Sequence, residues 1–146
     1  MRLEQNSLCF VLGLFVAVFS FSAAYAGEWI EGRVSHVRDV DTIEVRGLPV
    51  RLDGIDGPEL DERKGQAGKK WMQRLVLRKP VKCWLTGKKT HDRWVGTCFL
   101  RNGEDIGALA IGAGLARDCP RFSGGKYAEF ETAESRAIPS KSYCRR

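Results

Sequence analysis

A chain of 146 residues that is 43% hydrophobic and 29% charged is too short for two ordinary domains and too apolar for a disordered polymer. Its 24 Lys+Arg against 18 Asp+Glu leave a net charge of +6, which favours anionic partners without singling out nucleic acid. Five cysteines and two histidines argue against zinc: no C-x-x-C pair occurs, and His36 and His91 stand at no ligand spacing from a cysteine pair.

Residues 1–26 read as a signal peptide. Arg2 is the one basic residue there, Leu8 to Phe21 is apolar, and Ala24-Tyr25-Ala26 is a small-x-small cleavage site. The mature domain is then 27–146. An uncleaved anchor is the rival reading, since the apolar run approaches the roughly 20 residues that span a bilayer. The cleavage pattern and the lack of a basic stop-transfer flank favour removal. The expected location is periplasmic or extracellular, with no stable membrane association after cleavage. Cleavage takes Cys9 and leaves Cys83, Cys98, Cys119 and Cys144, an even set suited to an oxidising compartment.

In the mature chain, Trp29 to Val37 alternates as a strand, and Thr42 to Arg46 alternates again with β-branched residues. Gly47-Leu48-Pro49 is turn chemistry, and Val50 to Ile55 is a third strand. Gln66 to Arg78 changes to a helical period, with Ala67, Trp71, Leu75 and Arg78 on one face and Pro80 as the stop. Val81 to Leu85 and Trp94 to Leu100 are strands around the polar loop Gly87 to Asp92. Asp105 to Leu115 is a second helix, and Tyr127 to Arg136 a third with a thin apolar face. Five strands and three helices in this order predict an α+β domain, a five-stranded OB barrel, expected as a monomer.

The stretch V-R-D-V-D-T-I-E-V-R-G-L-P-V-R-L-D-G-I-D-G-P-E, from Val37 to Glu59, carries the chemistry. It sets Asp41, Asp56, Arg51 and Glu59 around a strand–turn–strand unit. Carboxylates bind hard divalent cations, an arginine fork matches phosphate oxygens, and a spare carboxylate takes a proton from water. Those are the parts of a phosphodiesterase.

Asp39-x-Asp41-Thr42 followed by Arg51-Leu52-x-x-Ile55-Asp56-x-Pro58-Glu59 resembles the signature of the staphylococcal nuclease family. Arg93 before a Val-Gly-x-Cys strand, Asn102 to Ile106, and Gly114-Leu115-Ala116 continue the pattern. The resemblance implies an OB barrel capped by helices and a Ca²⁺-dependent nuclease acting on DNA and RNA with low sequence specificity. It implies cleavage leaving a 3′-phosphate and a 5′-hydroxyl. Asp41, Asp56 and the Gly57 carbonyl would hold Ca²⁺, with Asp39 supporting the loop. Glu59 would be the base, and Arg51 and Arg93 the phosphate clamps. Two registers exist for Arg93: counting back from Cys98 places it on the clamp without a gap, whereas matching Asp92-Arg93 to an earlier Asp-Arg loses it. His91 and Asp92 stand where the family has Tyr-Gly, so His91 would partly replace a phosphate contact and Asp92 would pair with Arg93. Phe122 either stacks a nucleotide base or closes the barrel edge. Lys69, Lys70, Lys88 and Lys89 form a basic face. The alternative is a catalytically silent domain that binds nucleic acid or another anionic polymer; a role in surface polysaccharide handling has no support in the residues.

Four cysteines allow three pairings. Chain order favours Cys83–Cys98, across a predicted antiparallel hairpin, and Cys119–Cys144, stapling the C-terminal tail.

Overall fold

The computed structural model describes residues 27–145, so the expected signal peptide at 1–26 lies outside the described residues. The chain forms β1 (Glu28–Val37), β2 (Thr42–Val45), β3 (Leu48–Leu52), β4 (Ile55–Asp56), α1 (Arg63–Val76), β5 (Pro80–Thr90), β6 (Arg93–Leu100), α2 (Ile106–Gly112), β7 (Arg117–Asp118), α3 (Pro120–Ser123) and α4 (Ala133–Arg136). Among the described residues no helix is long and apolar enough to cross a membrane.

Alternation sets the barrel. Val34, Val37, Ile43, Val45, Val50, Leu52, Val81 and Leu85 turn inward and are buried, while most of their neighbours are more exposed, the buried Thr42 excepted. Five strands close in the order β1-β2-β3-β6-β5, with β1 also hydrogen-bonded to β5. The order fits the expected OB barrel. All neighbouring strands run antiparallel except β3 and β6. Arg46 (φ 54°) and Gly47 (φ 82°) both take left-handed backbone, as a two-residue hairpin turn between β2 and β3 requires. Met72 and Val76 of α1, and Ile106 and Ile111 of α2, complete the core.

Four details depart from the sequence expectation. The third strand does not run to Ile55: it ends at Leu52, a turn at Asp53-Gly54 follows (Gly54 φ 76°), and Ile55-Asp56 becomes β4, paired with β7. The first helix buries Gly65, Gly68, Met72 and Val76, one position off the expected face, so Ala67 is exposed and Trp71 and Leu75 are only partly covered. The third helix does not form: 127–136 divides into a 3₁₀ turn at Ala128–Phe130 and the single turn α4. Tyr127 is buried instead, its hydroxyl donating to Asp105 Oδ2 at 2.8 Å. The α-helices thus number four among the described residues, two of them four residues long, with two 3₁₀ turns besides.

Cys83 stands directly opposite Cys98 in the β5–β6 ladder; the two are bonded, with Cα atoms 4.0 Å apart. Cys119 is bonded to Cys144. The first bridge closes a loop of sequence separation 15, for which the chain-entropy account gives about 3 kcal/mol. The Cys83→Ala/Cys98→Ala variant is therefore expected to unfold at lower urea with about that loss. An unchanged midpoint would show that the bridge adds nothing to the strand pairing already present.

Candidate active site

The loop between β1 and β2 is built around one apolar wedge. Val40 is fully buried, and two glycines let backbone approach it. A Cβ at Gly57 would lie 2.2 Å from Val40 Cγ1, and one at Gly68 of α1 would lie 3.0 Å from Val40 Cβ. With Val40 fixed, its neighbour Asp41 is fixed too. Asp41 Oδ1 accepts from the Thr42 hydroxyl at 3.0 Å, Asp41 Oδ2 accepts from Gly57 N at 3.2 Å, and Asp39 Oδ1 accepts from Asp41 N at 2.9 Å.

Asp56, carried by β4, faces the same point. Arg51 of β3 puts Nη2 3.1 Å from Asp41 Oδ2 and 3.6 Å from Asp56 Oδ1, while its Nη1 donates to the Leu52 carbonyl at 3.0 Å. Burial pushes the Asp56 carboxyl up from its ordinary value, against the pull of the Tyr143 hydroxyl, Lys141 and Arg51. Burial, with the Asp41 carboxylate beside it, pushes Asp39 up to about 7. Burial thus disfavours the charged forms of Asp39 and Asp56.

Arg93, the first residue of β6, donates from Nη1 to Thr42 Oγ1 at 3.2 Å, and its buried Nε has no partner among the described residues. The chain Arg93–Thr42–Asp41–Arg51–Asp56 is thus continuous. Asp92 does not pair with Arg93 as expected: its Oδ2 meets Arg38 Nη1 at 2.7 Å, and that hydrogen bond holds Asp92 below the usual carboxylate range. Arg38 also holds Glu44 at 2.8 Å, so the outward pair leaves Arg93 its donors.

Glu59 follows Pro58 in the loop between β4 and α1. The helix comes so close here that a Cβ at Gly65 would lie 1.9 Å from the Glu59 carbonyl oxygen. The Glu59 side chain is mostly exposed, with its Oε1 paired to Lys141 Nζ. Lys141 also stands 3.7 Å from Asp56 Oδ1. Burial lowers the pKa of Lys141, but the hydrogen bond to Glu59 and the charge of Asp56 outweigh it and hold the ammonium above the ordinary lysine range. Tyr143 donates its hydroxyl to Asp56 Oδ1 at 2.6 Å; burial and this contact raise its pKa.

A cleft of about 650 Å³ opens beside the cluster, lined by Arg51, Lys88, His91, Arg93, Phe122 and Tyr143 among others. Arg51 and Tyr143 belong to both cleft and cluster. His91 (φ 56°) and Phe122, 56% exposed, reach the cleft and not the carboxylates. Lys69 and Lys70 are on α1, outside the cleft lining. Sequence reasoning missed Lys141 and Tyr143; their signal is Cys144, whose bridge brings the tail to this spot.

Among the described residues no group of three His, Cys, Asp or Glu side chains forms a ready-made metal cage. The donors the structure brings together are the carboxylates of Asp41 and Asp56, both beside Arg51 Nη2. They fit a hard divalent cation: all donors are oxygens, and the buried acids gain from added positive charge.

The barrel, the cluster of carboxylates and arginines and the adjoining basic cleft are those of a nuclease-like domain. The model of the family described as "Staphylococcal nuclease homologue" matches residues 49–142, and the chain belongs to that family. It is similar to the "Succinoglycan biosynthesis protein ExoI" of Rhizobium meliloti (strain 1021), 34% identical over 92% of this chain and 76% of that protein. An "Uncharacterized endonuclease" of Escherichia coli O157:H7 is 31% identical over 69% of each chain. Another so named, from Haemophilus influenzae, is 27% identical over 73% of this chain and 62% of its own length. Asp41 lies just before the family match, so its place in the site rests on its bonds to Arg51 and Gly57.

The close approach at Gly65 is testable without any activity. Gly65→Ala drives a methyl into backbone, and overpacking of this kind costs about 1–3 kcal/mol. Gly112, the last residue of α2, has nothing within 4 Å of an added Cβ, and Gly112→Ala is expected to be neutral or stabilising by up to about 1 kcal/mol. Thermal melts compare the two; equal shifts would refute the contact.

Proposed function

We propose that the protein is an exported, Ca²⁺-dependent nuclease that hydrolyses phosphodiester bonds of DNA and RNA with low sequence preference. The observation that carries this reading is the convergence of Asp41 and Asp56 on Arg51 beside a cleft that Lys88, Arg93 and Phe122 also line. Export is supported by the two bridges, which persist in oxidising compartments, and by the signal-like residues 1–26.

Arg51 and Arg93 bind the scissile phosphate. Charge grows on its equatorial oxygens as the bond breaks, and fixed guanidinium donors meet that charge without reorganising. Arg93 lines the cleft, and its Nη1 is held by Thr42 Oγ1. Glu59 takes the proton of a water lying in line with the P–O bond. The water oxygen bonds to phosphorus, the P–O5′ bond breaks, and the departing oxygen takes up a proton, leaving a 3′-phosphate and a 5′-hydroxyl. Asp41, Asp56 and the Gly57 carbonyl would hold Ca²⁺. That ion, when bound, neutralises phosphate charge as a Lewis acid. Phe122, exposed at the cleft, offers a ring for a base to stack on, and His91 a second contact to the strand. One relative is named for succinoglycan biosynthesis. The arginines and lysines that line the cleft suit an anionic phosphodiester.

Plasmid DNA and single-stranded RNA incubated with the purified mature protein in Ca²⁺, Mg²⁺ or EDTA test the reading. Cleavage is expected with Ca²⁺ and is lost in Asp41→Ala and Asp56→Ala; full activity in excess chelator would sink the cation assignment. Arg51→Ala, Arg93→Ala and Glu59→Gln are each expected to lose at least ~10²–10³ in kcat. An Arg93→Ala protein as active as wild type beside a dead Arg51→Ala would remove Arg93 from the machinery.

A further inference from the structure

The C-terminal segment Pro139-Ser140-Lys141-Ser142-Tyr143-Cys144 crosses the carboxylate cluster, fastened at both ends to the strand behind it. At one end Ile138 is 3% exposed and its carbonyl accepts from Arg117 Nη1 at 2.8 Å. At the other, Cys144 is 1% exposed and bonded to Cys119, with Cα atoms 4.6 Å apart. Arg117 opens β7 and Cys119 immediately follows it. β7 pairs with β4 so that Arg117 opposes Asp56 and Asp118 opposes Ile55, and Cys119 N donates to the Gly54 carbonyl at 2.9 Å. Both fastenings therefore tie the tail to the strand that carries Asp56.

Between the fastenings, two side chains reach the site. Tyr143 donates to Asp56 Oδ1, and Lys141 spans Asp56 Oδ1 and Glu59 Oε1. The Glu59 carboxylate, 66% exposed, has no other hydrogen-bond or ion-pair partner among the described residues. An exposed glutamate with no partner samples several rotamers, and a base must be held within hydrogen-bond reach of the proton it takes. Pairing at Oε1 leaves Oε2 for the water.

We propose that Lys141 is a positioning residue of the hydrolytic centre: it holds Glu59 at a fixed place relative to Asp56, and the Cys119–Cys144 bridge holds Lys141. The proposal rests on the nuclease reading above. Lys141 is attached to the centre through Glu59 and acts on the turnover step, not on affinity for the strand.

The test uses the mature protein and a fluorogenic single-stranded oligonucleotide. Lys141→Ala is expected to lower kcat about tenfold with KM within about twofold, as for a group that acts only in the transition state. Its melting temperature stays that of wild type, and Lys141→Arg restores most of the rate. In a Glu59→Gln background Lys141→Ala is expected to cost nothing further, because the two act as one unit. Cys119→Ser/Cys144→Ser is expected to reproduce the kcat loss. A Lys141→Ala protein as active as wild type or more so overturns the proposal. So does a loss confined to KM, or one that persists undiminished in the Glu59→Gln background. A bridge variant with full kcat overturns the role of the bridge. Wild type inactive on both DNA and RNA overturns the nuclease reading itself, whereas active wild type with indifferent Lys141 overturns this inference alone.

Discussion

Two carboxylates buried side by side need positive charge between them. Asp41 and Asp56 are 7% and 3% exposed, and an unpaired buried charge is among the most expensive features a fold can carry. Arg51 meets the need, because β3 delivers its Nη2 to both carboxylates while Nη1 is anchored on the Leu52 carbonyl. Breaking such a pair from one side costs about 3–5 kcal/mol. Truncation of Arg51 is therefore expected to cost stability as well as the activity proposed for it, and the two losses separate only when activity is read on protein shown to be folded. Even with Arg51 in place, Asp39 remains pushed up to about 7 and Asp56 upward, so the cluster is under-compensated by the charges the chain provides.

That shortfall was legible in the sequence only in part. Arg51, Asp56, Gly57 and Glu59 lie within nine residues, so their association follows from one strand and the turn after it. Asp41 joins them because β2 pairs with β3, a hairpin the Gly47 turn announces. Arg93 required the parallel β3–β6 contact, which no local pattern encodes; its place could be reached only by counting along the family's motif. The two-residue strands β4 and β7 are too short for alternation to reveal, yet their pairing aims Asp56 and gives the tail its anchor.

The errors in the helices share a cause. Periodicity finds apolar side chains, and the buried face of α1 begins with Gly65 and Gly68, which have none. Their contribution is to let α1 touch the Glu59 backbone and the Val40 wedge, a contact made of absent atoms. At 127–136 the spacing of Tyr127 and Phe130 imitates a helix. Tyr127 is instead drawn inward to Asp105, Phe130 stays 43% exposed, and a segment with so little apolar surface to cover has nothing to hold a longer helix together.

The tail shows how composition hides function. Lys141 and Tyr143 are ordinary surface types, and nothing in Lys-Ser-Tyr-Cys marks them as parts of a site. Their meaning comes from Cys144, whose partner Cys119 sits one residue past the strand backing Asp56. A bridge placed there does more than restrict the unfolded chain. It holds the tail whose Lys141 and Tyr143 fall on the carboxylates, so the bond also helps to complete the polar shell around Asp56. The Asp92–Arg38 pair works by the same logic in reverse. An exposed ion pair contributes little to stability, but by engaging Asp92 it keeps a competing carboxylate from the neighbouring Arg93. In both places the weak or distant element matters through the group it positions or removes, and that is visible only once the chain is folded.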